Sequence, residues 1–185
     1  MPGVRGLPSV TEVMDSVGLG FSGWMPPARR EWALARGAAL HAAIALDAEG
    51  ALDDASVHPE IAGQLDAYRK WVAATQHVVL ASEIELVHSR WQYVGHPDRV
   101  GLVGGKVTLI DWKHSVDRDY CALQMGGYAP LVREAFPDTP VEQYVALSLS
   151  PDGNYSTHVI VPDEQTFLAC LLVHRAREAR KKVPA

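Results

Sequence analysis

Gly104-Gly105 stands between two segments that alternate apolar and polar residues, WQYVGHPDRVGLV (91–103) and KVTLIDWKH (106–114). A glycine pair is favoured in a two-residue primed turn, where both positions take positive φ. The two segments are therefore expected to pair as an antiparallel hairpin. With a two-residue turn the register is determined: Val103 faces Lys106, Leu102 faces Val107, Val100 faces Leu109 and Asp98 faces Asp111. Side chains alternate faces along a strand, so these pairs share one face. That face is apolar near the turn and doubly acidic at its far end, where Lys113 joins it. A bulge would shift the pairing by one residue.

Directly opposed carboxylates destabilise an exposed sheet by up to about 1 kcal/mol, and by more where they are partly buried. One acid can take up a proton. Alternatively a divalent cation can sit between them, since Mg²⁺ takes carboxylate oxygens and water and keeps positions open for phosphate. Asp98 and Asp111 are thus candidate metal ligands and catalytic residues, with Lys113 as the candidate catalytic amine beside them. The ordinary alternative is a pair of strand-end acids that point at solvent.

The rest of the chain supplies helices and further strands. SVTE (9–12) has capping-box spacing and predicts a short helix stopping at Gly18 or Gly20. Pro26-Pro27 opens a second helix to about Gly50, and HPEIAGQLDAYRKWVAATQ (58–76) reads as a third. HVVLASEIELVHS (77–89) alternates as a strand. A helix over about 118–136, strands in VEQYVALSLS and YSTHVIV around Pro151-Asp152-Gly153-Asn154, and a helix over 163–182 complete the chain. The expected class is α/β, a mixed, mostly antiparallel sheet flanked by helices in the order ααα-βββ-α-ββ-α. At 185 residues, 48% hydrophobic and 21% charged, one soluble domain is expected over 1–185.

No apolar run approaches the roughly 20 residues of a membrane helix, and no secretory signal opens the sequence, so the cytoplasm is the default. Cys121 and Cys170 lack C-x-x-C spacing and read as buried free thiols. A net charge of −5 argues against polyanion binding by the whole surface. The basic stretch HRAREARKK (174–182) is either a solvated helix end or a local phosphate-contacting patch.

Four short motifs in order resemble the PD-(D/E)xK nuclease superfamily in its RecB-like and phage-exonuclease branch. RGAALH (36–41) looks like the helical motif whose histidine joins the metal site; EIELVHSRWQYVGHPDRVG (83–101) looks like the strand pair with G-x-x-D, Gly95 to Asp98. LIDWK is similar to the D-x-K element at Asp111 and Lys113, and LQMGGY (123–128) matches Q-x-x-x-Y at Gln124 and Tyr128. Together they span residues 36–131. His114-Ser115 follows D-x-K where the family often has Thr-Gly, and two cysteines are too few for its iron–sulfur members.

The resemblance implies a restriction-endonuclease-like core over about 36–161, with 1–35 as a helical extension. It implies Mg²⁺ or Mn²⁺ as cofactor, held by His41, Asp98, Asp111 and Glu83, although Glu85 competes with Glu83 for that place. Imidazole suits Mn²⁺ better than Mg²⁺. Gln124 and Tyr128, one helix face apart, are the expected substrate contacts; without the resemblance Tyr128 reads as core. Gly126-Gly127 within that helix points to close approach of another backbone or of substrate. His96 and His114 are expected at the surface or around the site rather than on the metal.

The expected activity is metal-dependent phosphodiester hydrolysis of DNA, as a phage- or prophage-type recombination or repair exonuclease. Lys113 would orient or deprotonate the attacking water, or stabilise the pentavalent phosphorus. A single-strand annealing or recombination protein is the conceivable partner, and the bacterial host cytoplasm the location if the chain is phage-derived. The rival readings are a non-catalytic DNA-binding or assembly protein with a nuclease fold, and a structure-specific endonuclease. Polarity, strandedness, metal number and oligomeric state stay open.

Overall fold

The computed structural model describes residues 6–20 and 26–181. Five α-helices are present among them: α1 (Val10–Ser16), α2 (Pro27–Ala48), α3 (Pro59–Thr75), α4 (Arg118–Ala135) and α5 (Glu164–Lys181). The strands are β1 (Val78–Ser82), β2 (Leu86–Val87), β3 (Val94–Gly95), β4 (Arg99–Val103), β5 (Lys106–Lys113), β6 (Gln143–Leu149) and β7 (Tyr155–Val159). The main sheet has the order β1-β4-β5-β6-β7, and β2 and β3 form a separate small ribbon. Within the main sheet only the β5–β6 pairing is parallel, with helix α4 as the crossover that such a pairing needs. The class is therefore a mixed, mostly antiparallel α/β sheet flanked by helices.

The hairpin register is the one that the Gly104-Gly105 turn predicts, with Val103 opposite Lys106, Leu102 opposite Val107 and Val100 opposite Leu109. Both glycines have positive φ, 58° and 80°. The ladder ends at Arg99 opposite Ile110, so Asp98 lies one residue beyond it.

Two of the expected long strands are broken. The first divides into β1 and β2 at Glu83, which takes a left-handed φ of 50°. The second divides into β3 and β4 around His96-Pro97-Asp98. Proline removes a ladder donor, which explains the second break. A bulge at Leu80 further bends β1 against β4.

Two apolar layers hold the sheet. On one face Val100, Leu109 and Ala146 pack against Val10 and Met14 of α1, Met125 and Tyr128 of α4 and Phe167 of α5. On the other, Ile110, Trp112, Val145 and Leu147 pack against Leu40 and Ile44 of α2 and Leu65, Tyr68 and Trp71 of α3. β5 is buried on both faces from Thr108 to Trp112, so Asp111 enters the site from the middle of the molecule.

The helix boundaries follow their caps. Ser9 and Glu12 form the reciprocal capping box at the start of α1. Asp117 accepts the Asp119 and Tyr120 N–H groups at the start of α4. Helix α2 runs unbroken through residue 36, where the core had been expected to begin. Lys182, the expected last residue of α5, lies outside the described residues.

A Cβ on Gly126 would fall against the carbonyl of Asp163, while one on Gly127 would meet Phe167 and Val10. The Asp163 N–H also donates to the Ala122 carbonyl at 2.9 Å. The glycine pair thus admits the backbone that leads into α5, and not substrate. Among the described residues no helix is long and apolar enough to cross a membrane.

Candidate metal centre and active site

Three separate segments meet at His41. This residue lies on α2, Glu83 at the break after β1, and Asp98 just before β4. His41 Nδ1 is 3.1 Å from Glu83 Oε1 and 3.4 Å from Asp98 Oδ1. One ligand atom from each of the three residues lies within 4.8 Å of the others.

The backbone holds the two acids in place. The left-handed turn at Glu83 directs its N–H to the Asp98 carbonyl, at 3.0 Å. The Asp98 carboxylate accepts the Trp112 N–H through Oδ2 at 2.7 Å, which leaves Oδ1 toward His41. A carboxylate fixed at one oxygen loses little further freedom when the other binds a ligand.

Asp111 is 2% exposed and forms an ion pair with Lys113. The two acids feel each other, although the ladder stops one pair short of them. Burial, followed by the charge of Asp111, raises the Asp98 pKa to about 7, against His41, Lys113 and the Trp112 N–H. Burial alone would lower the His41 pKa, but Asp98, Glu83 and Asp111 outweigh it and raise it to about 9. Burial likewise disfavours the Lys113 ammonium, and Asp111 and Asp98 more than restore it. The acids thus favour the protonated forms of the His41 imidazole and the Lys113 amine beside them.

These donors fit a hard divalent cation. Two carboxylates and an imidazole converge on one point, with His41 Nδ1 within reach of both Glu83 and Asp98, as a shared cation would require. Glu85 is not part of this group: it pairs with His96 at 3.0 Å. The face shared by Glu83 and Glu85 on a continuous strand is lost at the break. His114 is exposed, and neither it nor His96 belongs to the cluster.

Gln124 and Tyr128 are buried on α4, 5% and 4% exposed. Gln124 Nε2 donates to the Tyr128 hydroxyl at 3.1 Å, and its buried Oε1 has no partner among the described residues. Burial, then the charges of Asp111 and Asp98, raises the Tyr128 pKa well above its usual value. The pair therefore lies beneath the acids, deeper than direct substrate contact from the surface requires.

A cleft of about 570 Å³ opens beside the cluster, and His41 and Lys113 line it. Its outer wall is the first half of α2, with Arg29, Arg30, Trp32 and Arg36. Arg36 lies over the Trp32 ring at 4.5 Å. Asp15 and Asp117 border the same space. In the sequence this wall shows as three arginines in PARREWALAR, with nothing to mark that they border a cleft. The C-terminal basic run is largely engaged at home: Arg175 donates to the carbonyls of Trp91 and Gln92, Arg177 to that of Ser16, and Lys181 pairs with Glu178.

No protein-family model matches the chain, and no curated protein sequence matches it. Among solved structures, the alkaline exonuclease LHK-Exo from Laribacter hongkongensis is similar in overall arrangement. It aligns at 17% identity over 96% of this chain and 95% of that one, with a TM-score of 0.46. The same values describe its complex with dAMP.

Proposed function

We propose that this chain is a divalent-metal-dependent deoxyribonuclease of the PD-(D/E)xK superfamily, acting as an exonuclease, with residues 1–185 as one nuclease domain. The observation that carries the reading is the convergence of His41, Glu83 and Asp98 beside the Asp111–Lys113 pair. Four elements distant in sequence have placed acids and cations at one point beside an open cleft.

His41, Glu83 and Asp98 would hold Mg²⁺ or Mn²⁺, with Asp111 completing the acidic side. When bound, the cation supplies Lewis-acid stabilisation of charge on the phosphoryl oxygens. Lys113, kept protonated by Asp111, adds a fixed positive charge where the transition state becomes more negative. Arg29, Arg30 and Arg36 offer guanidinium groups to DNA phosphates along the cleft. Gln124 and Tyr128, buried beneath the acids, would support them from below rather than touch substrate. A role in recombination or repair, with a strand-annealing partner, accords with the motif resemblance.

The pairing of the acids with His41 and Lys113 favours a second reading. His41 and Lys113 lie as cationic partners among the acids, an arrangement that also suits a non-catalytic DNA-binding protein. Incubation of linear and covalently closed circular DNA with Mg²⁺, Mn²⁺ or EDTA separates the cases. Metal-dependent loss of linear DNA alone is the expected result. Cutting of the closed circle would make the chain an endonuclease, and binding without cleavage in any metal would establish the second reading.

A further inference from the structure

Arg99 is 1% exposed, yet no carboxylate pairs with it among the described residues. A buried guanidinium without a counter-ion is costly and must be held by other groups. Here Nη1 donates to the Tyr68 hydroxyl at 2.6 Å and Nη2 to Ser82 Oγ at 3.1 Å. Its planar group also lies 5.3 Å from the Trp112 ring centre and 5.7 Å from that of Tyr68.

Each strand partner of this guanidinium is the sequence neighbour of a candidate site residue. Ser82 precedes Glu83, Arg99 itself follows Asp98, and Trp112 lies between Asp111 and Lys113. Ser82 faces Arg99 across the β1–β4 ladder, and Arg99 faces Ile110 across the β4–β5 ladder. Because side chains alternate, the residues between the site groups point to the opposite face, where Arg99 gathers them onto α3.

We propose that Arg99 is a positioning residue, the hub of a clamp with Tyr68, Ser82 and Trp112 that sets the relative placement of Glu83, Asp98 and Asp111 from behind the sheet. The clamp rests on the metal-site reading above. It acts through geometry: the charges that move Asp98 are those of Asp111, His41 and Lys113. The Ser82 contact holds the chain immediately before the left-handed turn at Glu83, and the Trp112 contact steadies the residue whose N–H anchors Asp98. Loss of the guanidinium frees these segments separately, so that the carboxylates no longer converge without a bound cation.

The test is Mn²⁺ binding, followed through the electron-paramagnetic-resonance signal of free Mn²⁺, together with thermal melting. The proteins are wild type, Arg99→Met, Tyr68→Phe, Ser82→Ala, Asp98→Asn, and the core variant Val145→Ala as a stability control. The expected result is Mn²⁺ affinity about tenfold weaker in Arg99→Met. Tyr68→Phe and Ser82→Ala should weaken it less, and Val145→Ala should lower Tm without changing affinity. Arg99→Lys should restore part of the loss. If Arg99→Met does not fold, the two single-hydroxyl variants decide the matter.

Clamp variants that lose Tm but bind Mn²⁺ as wild type does would overturn the clamp while leaving the site reading intact, provided Asp98→Asn abolishes binding. Binding that is absent in wild type, or unchanged in Asp98→Asn, would overturn the site reading and the clamp with it.

Discussion

The imidazole of His41 and the carboxylate of Asp98 meet at 3.4 Å, and each raises or lowers the other's readiness to ionise. Both have raised pKa values in the folded chain, so the fold retains protons that the unfolded chain has released. For Asp98 this occurs between its ordinary 3.8 and about 7, and for His41 between 6.5 and about 9. The slope of stability with pH is therefore negative in these windows. The stabilising contribution is complete below the unfolded values and is lost as pH rises through the folded ones. Metal ions bind the unprotonated donors, so they oppose this loss. Melting in EDTA should give a Tm that falls from about pH 5 to about pH 9, whereas the Tm increment from added Mn²⁺ should grow. An increment that shrinks with pH would count against these ligands.

Glu83 and Glu85 should differ sharply. Glu83→Gln removes a carboxylate from the cluster and is expected to weaken Mn²⁺ binding and cleavage. Glu85→Gln breaks only a half-exposed contact with His96 and should leave both close to wild type. Titration of Mn²⁺ into each variant checks the order.

Lys113→Met leaves Asp111 buried without its cation. Loss of one partner from such a pair costs about 3 kcal/mol. The variant should melt earlier in EDTA and recover part of the difference in Mn²⁺, since a bound cation replaces the ammonium. Cleavage should not recover with it. Recovery of full activity in Mn²⁺ would show that Lys113 serves only the stability of the apo fold.

The two glycines of α4 should respond differently to alanine. In a helix interior Ala gains about 1 kcal/mol over Gly, whereas overpacking costs about 1–3 kcal/mol. At Gly126 the obstacle is the Asp163 backbone, which cannot step aside, so Gly126→Ala should be clearly destabilising in urea unfolding. At Gly127 the nearest atoms are Phe167 Cε2 at 2.8 Å and the Val10 methyls at 2.8 and 2.9 Å, side chains of the core that must shift but are not backbone, so Gly127→Ala should destabilise less than Gly126→Ala.

The Gly104-Gly105 turn was enough to read the hairpin register, because a two-residue turn and strand alternation leave one pairing. The start of α1 was legible for the same local reason, through the Ser9–Glu12 capping box. The break at Glu83 was not: a left-handed glutamate has no sequence signature, and its turn is stabilised by a bond to the distant Asp98 carbonyl. The choice between Glu83 and Glu85 depended on that break. The burial of Arg99 was not legible, because arginine is ordinarily exposed and its burial arises from Tyr68 and Trp112, which only the tertiary fold brings together. The basic wall of α2 was not legible, because charge along a helix says nothing of which face borders a cleft.

The most direct measurement is nucleotide release from linear duplex DNA by wild-type protein and Asp111→Ala, in Mg²⁺, in Mn²⁺ and in EDTA. The account predicts metal-dependent release by the wild type and none by a folded Asp111→Ala variant. Equal release by the two proteins, or release that persists in EDTA, would contradict it.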